Sequence, residues 1–249
     1  MTISLQNKTI LVTREAQAAQ QFANQISAYG GRPIITPLLH IQCLPYSLED
    51  KTNINEQFEW IFFTSKNGVH CFMKQLPNID GCKIAAVGPK TAMAVEKFGY
   101  VVDFIPTTYN AEVMAAEFLH TYKRSGHVLF VRGKLASHIL LDAFTRAQRP
   151  YTCVEVYDTT TNIAVKDHLC SALLEKTIDF ITFTSPSTVD AYMQLTSKED
   201  NQKDIPAVCI GTTTEKRALE VGFSQTIVPI HFTIEGMLEA IHKELERRQ

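Results

Sequence analysis

The stretch WIFFTSKNGVHCFM (Trp60–Met73) can be laid over FITFTSPSTVDAYM (Phe180–Met193), 120 residues later (180 − 60), with Ile, Phe, Thr, Ser, Val and Met at matching positions. Each copy opens on a short apolar run, turns on Thr-Ser and continues with helical spacing, as a strand followed by a helix does. A second pair sets AVGPKTAMAVEKFGYVVDFIP (Ala86–Pro106) over CIGTTTEKRALEVGFSQTIVP (Cys209–Pro229), 123 residues apart (209 − 86). There Gly88 matches Gly211, Thr91 matches Thr214, Gly99 matches Gly222 and Pro106 matches Pro229. A weaker third pair is ILVTR (Ile10–Arg14) over VLFVR (Val128–Arg132). The chain is a duplication.

The repeated runs Ile10–Val12, Ile61–Phe63, Ile84–Val87, Val128–Val131, Phe180–Phe183 and Ala207–Ile210 are rich in β-branched and aromatic residues, as buried parallel strands are. Strands alternating with helices imply parallel sheets with right-handed crossovers. Near the C-terminus, Ile234, Met237, Leu238, Ile241 and Leu245 fall on one helical face. The expected fold is α/β: two doubly wound, flavodoxin-like domains. From the repeat alone, the division is two tandem halves meeting near residue 125.

At 249 residues, with 45% hydrophobic and 20% charged residues, there is material for a core in each half. A net charge of −2 provides no basic field for nucleic acid or acidic membranes, so an anionic ligand must be held locally. MTISLQNKTI lacks the basic and apolar regions of a secretory signal, and no apolar run approaches the roughly 20 residues of a membrane span. The six cysteines (Cys43, Cys71, Cys82, Cys153, Cys170, Cys209) are scattered without a C-x-x-C pair, and are expected as reduced thiols in a cytoplasmic protein.

Dinucleotide, P-loop, zincin and G-x-S-x-G signatures are all absent, so the expectation is neither cofactor nor metal. What remains is a set of hydroxyl-rich strand-to-helix junctions. Thr64-Ser65-Lys66-Asn67 ends one strand, and Thr184-Ser185-Pro186-Ser187-Thr188 ends its repeat mate. Ser65 and Ser185 suit N-caps, and Pro186 suits the first helical position. Gly88-Pro89-Lys90-Thr91 and Gly211-Thr212-Thr213-Thr214 form the next junction in each half. All such junctions lie at the carboxyl edge of a parallel sheet, where free N–H groups and helix dipoles favour anions. Any single Ser or Thr there is most simply a cap. Three consecutive threonines exceed what one cap needs, and Arg14 and Arg132 end strands at the same edge in both halves. Tyr157, in VEVYDT, is on physical grounds an ordinary strand aromatic.

The order VTR, FTS, VG with a following Thr, VRG, VEVYDT, FTSPS and IGTTT, over residues 8–245, resembles the uroporphyrinogen-III synthase family. The resemblance implies closure of the linear tetrapyrrole hydroxymethylbilane, with inversion of its last ring and loss of water, using no cofactor. Eight substrate carboxylates would match the anion-binding junctions. It also implies interleaved domains rather than tandem halves. One would combine residues 1–36 with 160–249, and the other would span 41–153. Strands at 37–40 and 154–159 would link them, with the substrate in a cleft.

By the same resemblance, Tyr157 and Thr214 are the expected catalytic residues, with Tyr157 donating a proton to the departing hydroxyl. Substrate contacts fall on Arg14, Thr64, Ser65, Lys66, Asn67, Gly88, Thr91, Arg132, Gly133, Ser185, Ser187, Thr188, Gly211, Thr212 and Thr213. Lys66-Asn67 stands where the family often has Pro-Arg, and Thr212 where Pro is common. A monomer in transient contact with the upstream deaminase is expected, with no nucleic-acid or membrane partner. Two other classes compete: a non-catalytic sensor of an anionic metabolite, and a transferase acting on a phosphorylated sugar. The second lacks a D-x-D motif.

Overall fold

Short runs of β-branched and aromatic residues become the central strands of two five-stranded sheets. The computed structural model describes residues 3–48, 54–76, 78–175, 177–196 and 202–248. In chain order the strands are β1 (Thr9–Val12), β2 (Arg32–Ile35), β3 (Leu39–Cys43), β4 (Trp60–Phe63), β5 (Lys83–Ala86), β6 (Val128–Gly133), β7 (Tyr151–Thr161), β8 (Phe180–Phe183), β9 (Ala207–Cys209) and β10 (Thr226–Ile227). The helices are α1 (Ala16–Ala28), α2 (Ile54–Gln57), α3 (Lys66–Met73), α4 (Pro89–Glu96), α5 (Ala111–Thr121), α6 (Ile139–Arg146), α7 (Lys166–Leu174), α8 (Pro186–Leu195), α9 (Thr212–Glu220) and α10 (Ile234–Arg247). The chain divides into two compact units, Met1–His40 with Thr160–Gln249, and Ile41–Thr159.

In the first unit the strand order is β10-β9-β8-β1-β2, with every pair parallel. Renumbered within the unit this is 2-1-3-4-5, the flavodoxin-like winding. The second sheet is ordered β3-β7-β6-β4-β5, with β5, β4, β6 and β7 parallel. It has the same winding, except that its outermost position is filled by the strand that enters the unit. The sheets are therefore interleaved in sequence, and no tandem boundary exists near residue 125. The two connecting segments form a ladder. Asn162 N donates to Leu38 O and Leu44 N to Val156 O, both at 2.8 Å, so β3 runs antiparallel to β7.

Burial follows the sequence pattern. Trp60, Ile61, Phe62 and Phe63 are wholly buried, as are Phe180, Ile181 and Phe183. On one face of the second sheet, Phe62 packs edge-to-face on Phe118 (4.6 Å between centroids) and Phe130 (5.1 Å). On the face of the first sheet covered by α10, Met237, Leu238, Ile241 and Leu245 pack with Leu5, Ile10, Val12 and Phe22. With both faces covered, the strand ends are the part of each sheet left to function.

The expectation that all six thiols are free is corrected: Cys43 on β3 is disulfide-bonded to Cys71 on α3. Scattered spacing says nothing about pairing, because β3 and α3 meet only through the fold. The bond spans 28 residues, and closing such a loop in the unfolded chain is worth about 3–4 kcal/mol on the chain-entropy account. Cys43→Ser, or added reductant, is expected to lower the unfolding free energy of the second unit by about that amount. Equal urea midpoints with and without reductant would show that the two thiols are unlinked in solution. Cys82, Cys153, Cys170 and Cys209 are free; burial raises the thiol pKa of Cys82 to about 11 and of Cys209 to about 12, which makes both poor nucleophiles.

Candidate active site

Tyr157 owes its position to a slip in strand register. β7 pairs with β6 one-for-one from Val128↔Tyr151 to Arg132↔Glu155, and then Gly133 pairs with Tyr157 rather than Val156. An irregularity of this kind re-aims the side chains beyond it. The Tyr157 ring consequently lies against Gly133: a Cβ there would fall 2.5 Å from Cζ and 2.8 Å from the phenol oxygen. Any other residue at 133 would displace the ring. The loop beyond β6 holds the tyrosine backbone, since Lys134 N donates to Tyr157 O at 2.9 Å. Lys134 Nζ also lies 3.6 Å from the Asp158 carboxylate.

The phenol reaches Ser65. Tyr157 Oη and Ser65 Oγ are 3.0 Å apart, and Ser65 Oγ accepts from Gly68 N at 3.0 Å as the N-cap of α3. A hydroxyl has one proton to give. With Ser65 donating to the phenol oxygen, the Tyr157 O–H is left to donate outward. The sequence is then Gly68 N–H to Ser65 Oγ–H to Tyr157 Oη–H, anchored at the positive end of a helix. Thr64 precedes this cap, Lys66 and Asn67 begin the helix, and all of these groups lie in the second unit.

Other expected contacts sort by exposure. Gly88 is the N-cap of α4 without a side-chain cap bond, and Thr91 behind it is buried. Arg132 is also buried, at 4% exposure; its guanidinium donates to Gly133 O and Ala136 O, bracing the loop that carries Lys134. The placement of Arg132 at the sheet edge is observed, with its Nε and Nη2 turned into its own loop.

In the first unit, Ser185 caps α8 in a reciprocal box with Thr188, whose own hydroxyl donates to Ser185 O at 2.6 Å. Ser187 is exposed and lies 2.9 Å from Ser185 Oγ. At the next junction Gly211 caps α9 with backbone alone. Thr212 and Thr213 face solvent, while Thr214 is 3% exposed. Thr214 shares its helical face with the buried Ala218, four residues on, so the sequence already contained the signal for its inward orientation. Arg14, half-buried after β1, has its pKa lowered by desolvation, opposed by the charges of Glu15 and Glu235. Among the described residues no group of three or more His, Cys, Asp or Glu side chains is placed to hold a metal ion, and no helix is long and apolar enough to cross a membrane.

A profile of the uroporphyrinogen-III synthase HemD family matches residues 20–239. The chain belongs to the uroporphyrinogen-III synthase family. A uroporphyrinogen-III synthase of Chlorobaculum parvum is 28% identical over 96% of this chain and 100% of its own length. Another, from Synechococcus elongatus, is 27% identical over 95% of each chain. In fold, the chain is similar to the crystal structure of uroporphyrinogen-III synthetase from Helicobacter pylori, with a TM-score of 0.65 at 20% identity over 97% of this chain and 100% of that one. Uroporphyrinogen-III synthase is a cyclising lyase of heme biosynthesis, and its substrate is a tetrapyrrole. Lys134 and Gly133 both position Tyr157 in ways that no local sequence pattern gives: the Lys134 backbone N–H holds the Tyr157 carbonyl, and Gly133 leaves room for its ring.

Proposed function

We propose that this synthase converts hydroxymethylbilane to uroporphyrinogen III with Tyr157 as the proton donor to the departing hydroxyl. The observation carrying this reading is the phenol held over Gly133 and hydrogen-bonded at 3.0 Å to a serine that caps a helix. In the first step the C–O bond of the terminal hydroxymethyl group breaks. Pyrrole electrons drive out the oxygen, which takes the Tyr157 proton and leaves as water. The phenolate so formed is stabilised by the Ser65 O–H and the N-terminus of α3. The electrophilic azafulvene is then attacked by a ring carbon to give a spiro intermediate, which fragments and recloses with the last ring inverted. The ring proton lost on re-aromatisation balances the one donated to water.

The protein's larger contribution is to hold one folded conformer, since orientation supplies roughly 7–11 kcal/mol in favourable intramolecular cases. Exposed hydroxyls and free N–H groups at the strand ends suit that purpose. Ser187, Thr212 and Thr213 in the first unit, and Lys66 and Asn67 in the second, would take carboxylates. Arg132 and Thr188 would act behind them by fixing the backbone. Thr214, being buried, would set the start of α9 rather than touch substrate.

The test is a coupled assay in which porphobilinogen and its deaminase supply the linear tetrapyrrole, and the oxidised products are separated as isomers. Isomer III in excess over spontaneous isomer I is the expected result. Isomer I alone, from folded protein, would overturn the proposal and favour a binding protein for an anionic metabolite.

A further inference from the structure

The two junctions with glycine caps carry a feature that the mechanism above does not use. Tyr109 is 62% exposed and Phe232 is 58% exposed, although each is a large aromatic side chain. Both stand against a capping glycine. A Cβ at Gly88 would lie 3.1 Å from Tyr109 Cβ and 3.2 Å from its Cγ, and one at Gly211 would lie 3.3 Å from Phe232 Cδ2 and 3.4 Å from its Cγ. The caps have φ of −177° and −167°, so glycine is required at neither for backbone freedom. Close approach of the ring is the reason for it.

The pairing is duplicated. Gly88 and Gly211 are 123 residues apart, and so are Tyr109 and Phe232 (232 − 109). In each unit the aromatic directly precedes a helix cap, Asn110 for α5 and Thr233 for α10. Neither ring is needed to fill a core, yet each copy of the duplication places one beside the start of a helix at the carboxyl edge of its own sheet. An exposed ring face beside the positive end of a helix matches one chemistry well: a flat, electron-rich heterocycle carrying carboxylates.

We propose that Tyr109 and Phe232 are positioning residues for the tetrapyrrole, each lying against a pyrrole ring whose carboxylate side chains meet the adjoining helix start. This rests on the function proposed above and adds residues that recognise the substrate's rings rather than its charges. Ring contacts of this kind resist the rotation about the bridging carbons that would let a linear chain of pyrroles unfold. They therefore act on substrate affinity and on the folded conformer, without touching the departing hydroxyl.

The experiment uses Tyr109→Ala, Phe232→Ala and the double variant, with KM, kcat and the ratio of isomer III to isomer I measured in the coupled assay. Each single change is expected to raise KM by about 3–10-fold and the pair by about 10–100-fold, in keeping with aromatic contacts, with kcat moving less. Thermal midpoints should hold, because both rings are exposed. Tyr109→Phe and Phe232→Tyr should bring KM back towards the wild-type value, and Leu174→Ala, an exposed apolar residue at the end of α7, should not move it. Alanine variants with the wild-type KM, beside a wild-type protein that makes isomer III, overturn this proposal alone. A wild-type protein that makes only isomer I overturns the function itself.

Discussion

Tyr157→Phe is expected to lower kcat by about 10²–10⁴-fold, the usual range for loss of a general acid, with KM within a few-fold of wild type. The variant keeps the ring, so its packing on Gly133 and its place in the β7 ladder remain. It removes only the oxygen that lies 3.0 Å from Ser65 Oγ. Spontaneous cyclisation would then compete, and isomer I would rise in the product. Activity close to wild type would show that the phenol is not the donor and that orientation carries the rate. Gly133→Ala is the companion experiment. Its methyl group would meet the far end of the tyrosine side chain, which can swing, so stability should change little while the phenol leaves Ser65. A large loss of activity in both variants, with folding intact, would tie the rate to the position of that oxygen.

The contrast between these residues shows what a sequence carries and what it hides. The strands, the N-caps at Ser65 and Ser185 and the apolar face of α10 were legible because each depends on residues a few positions apart. The chemistry around Tyr157 was not, because it depends on distant segments brought together. The phenol meets Ser65, 92 residues away, and meets Gly133 only through a register slip that no local pattern announces. Likewise the Cys43–Cys71 bond joins a strand and a helix whose proximity is a product of the winding order. Arg132 shows a further dependence on the fold. Its position at a strand end is repeated by Arg14, but its Nε and Nη2 donate to the carbonyls of Gly133 and Ala136 in its own loop. Repetition located the edge; it did not say which way each side chain turns.

The same reasoning makes Gly236 the glycine at which an added Cβ would meet the closest contact. A glycine in the first turn of α10 invites replacement, since alanine is ordinarily better in a helix by about 0.8–1 kcal/mol. Here the sign should reverse. A Cβ at Gly236 would lie 2.1 Å from His231 O and 3.2 Å from Pro229 Cβ, and His231 O already accepts from Thr233 N at 2.8 Å. That obstacle is backbone, so relief requires shifting either the segment 229–233 or the start of α10. The helix cannot shift freely, because Met237, Leu238, Ile241 and Leu245 are buried against the first sheet. Nor can the segment, because Thr233 caps the helix through Gly236 N at 3.0 Å. Gly236→Ala is therefore expected to destabilise the first unit by about 3 kcal/mol, the upper part of the range for overpacking. For a chain of this size that corresponds to a fall of roughly 6–12 °C in the melting temperature, measurable by calorimetry. An unchanged or raised melting temperature would mean that the 229–233 segment does not lie over the helix start. Because Phe232 sits in that segment, a folded Gly236→Ala protein should also show a raised KM if the ring contacts substrate. The stability and affinity effects would then share one cause, the displacement of a single turn of chain.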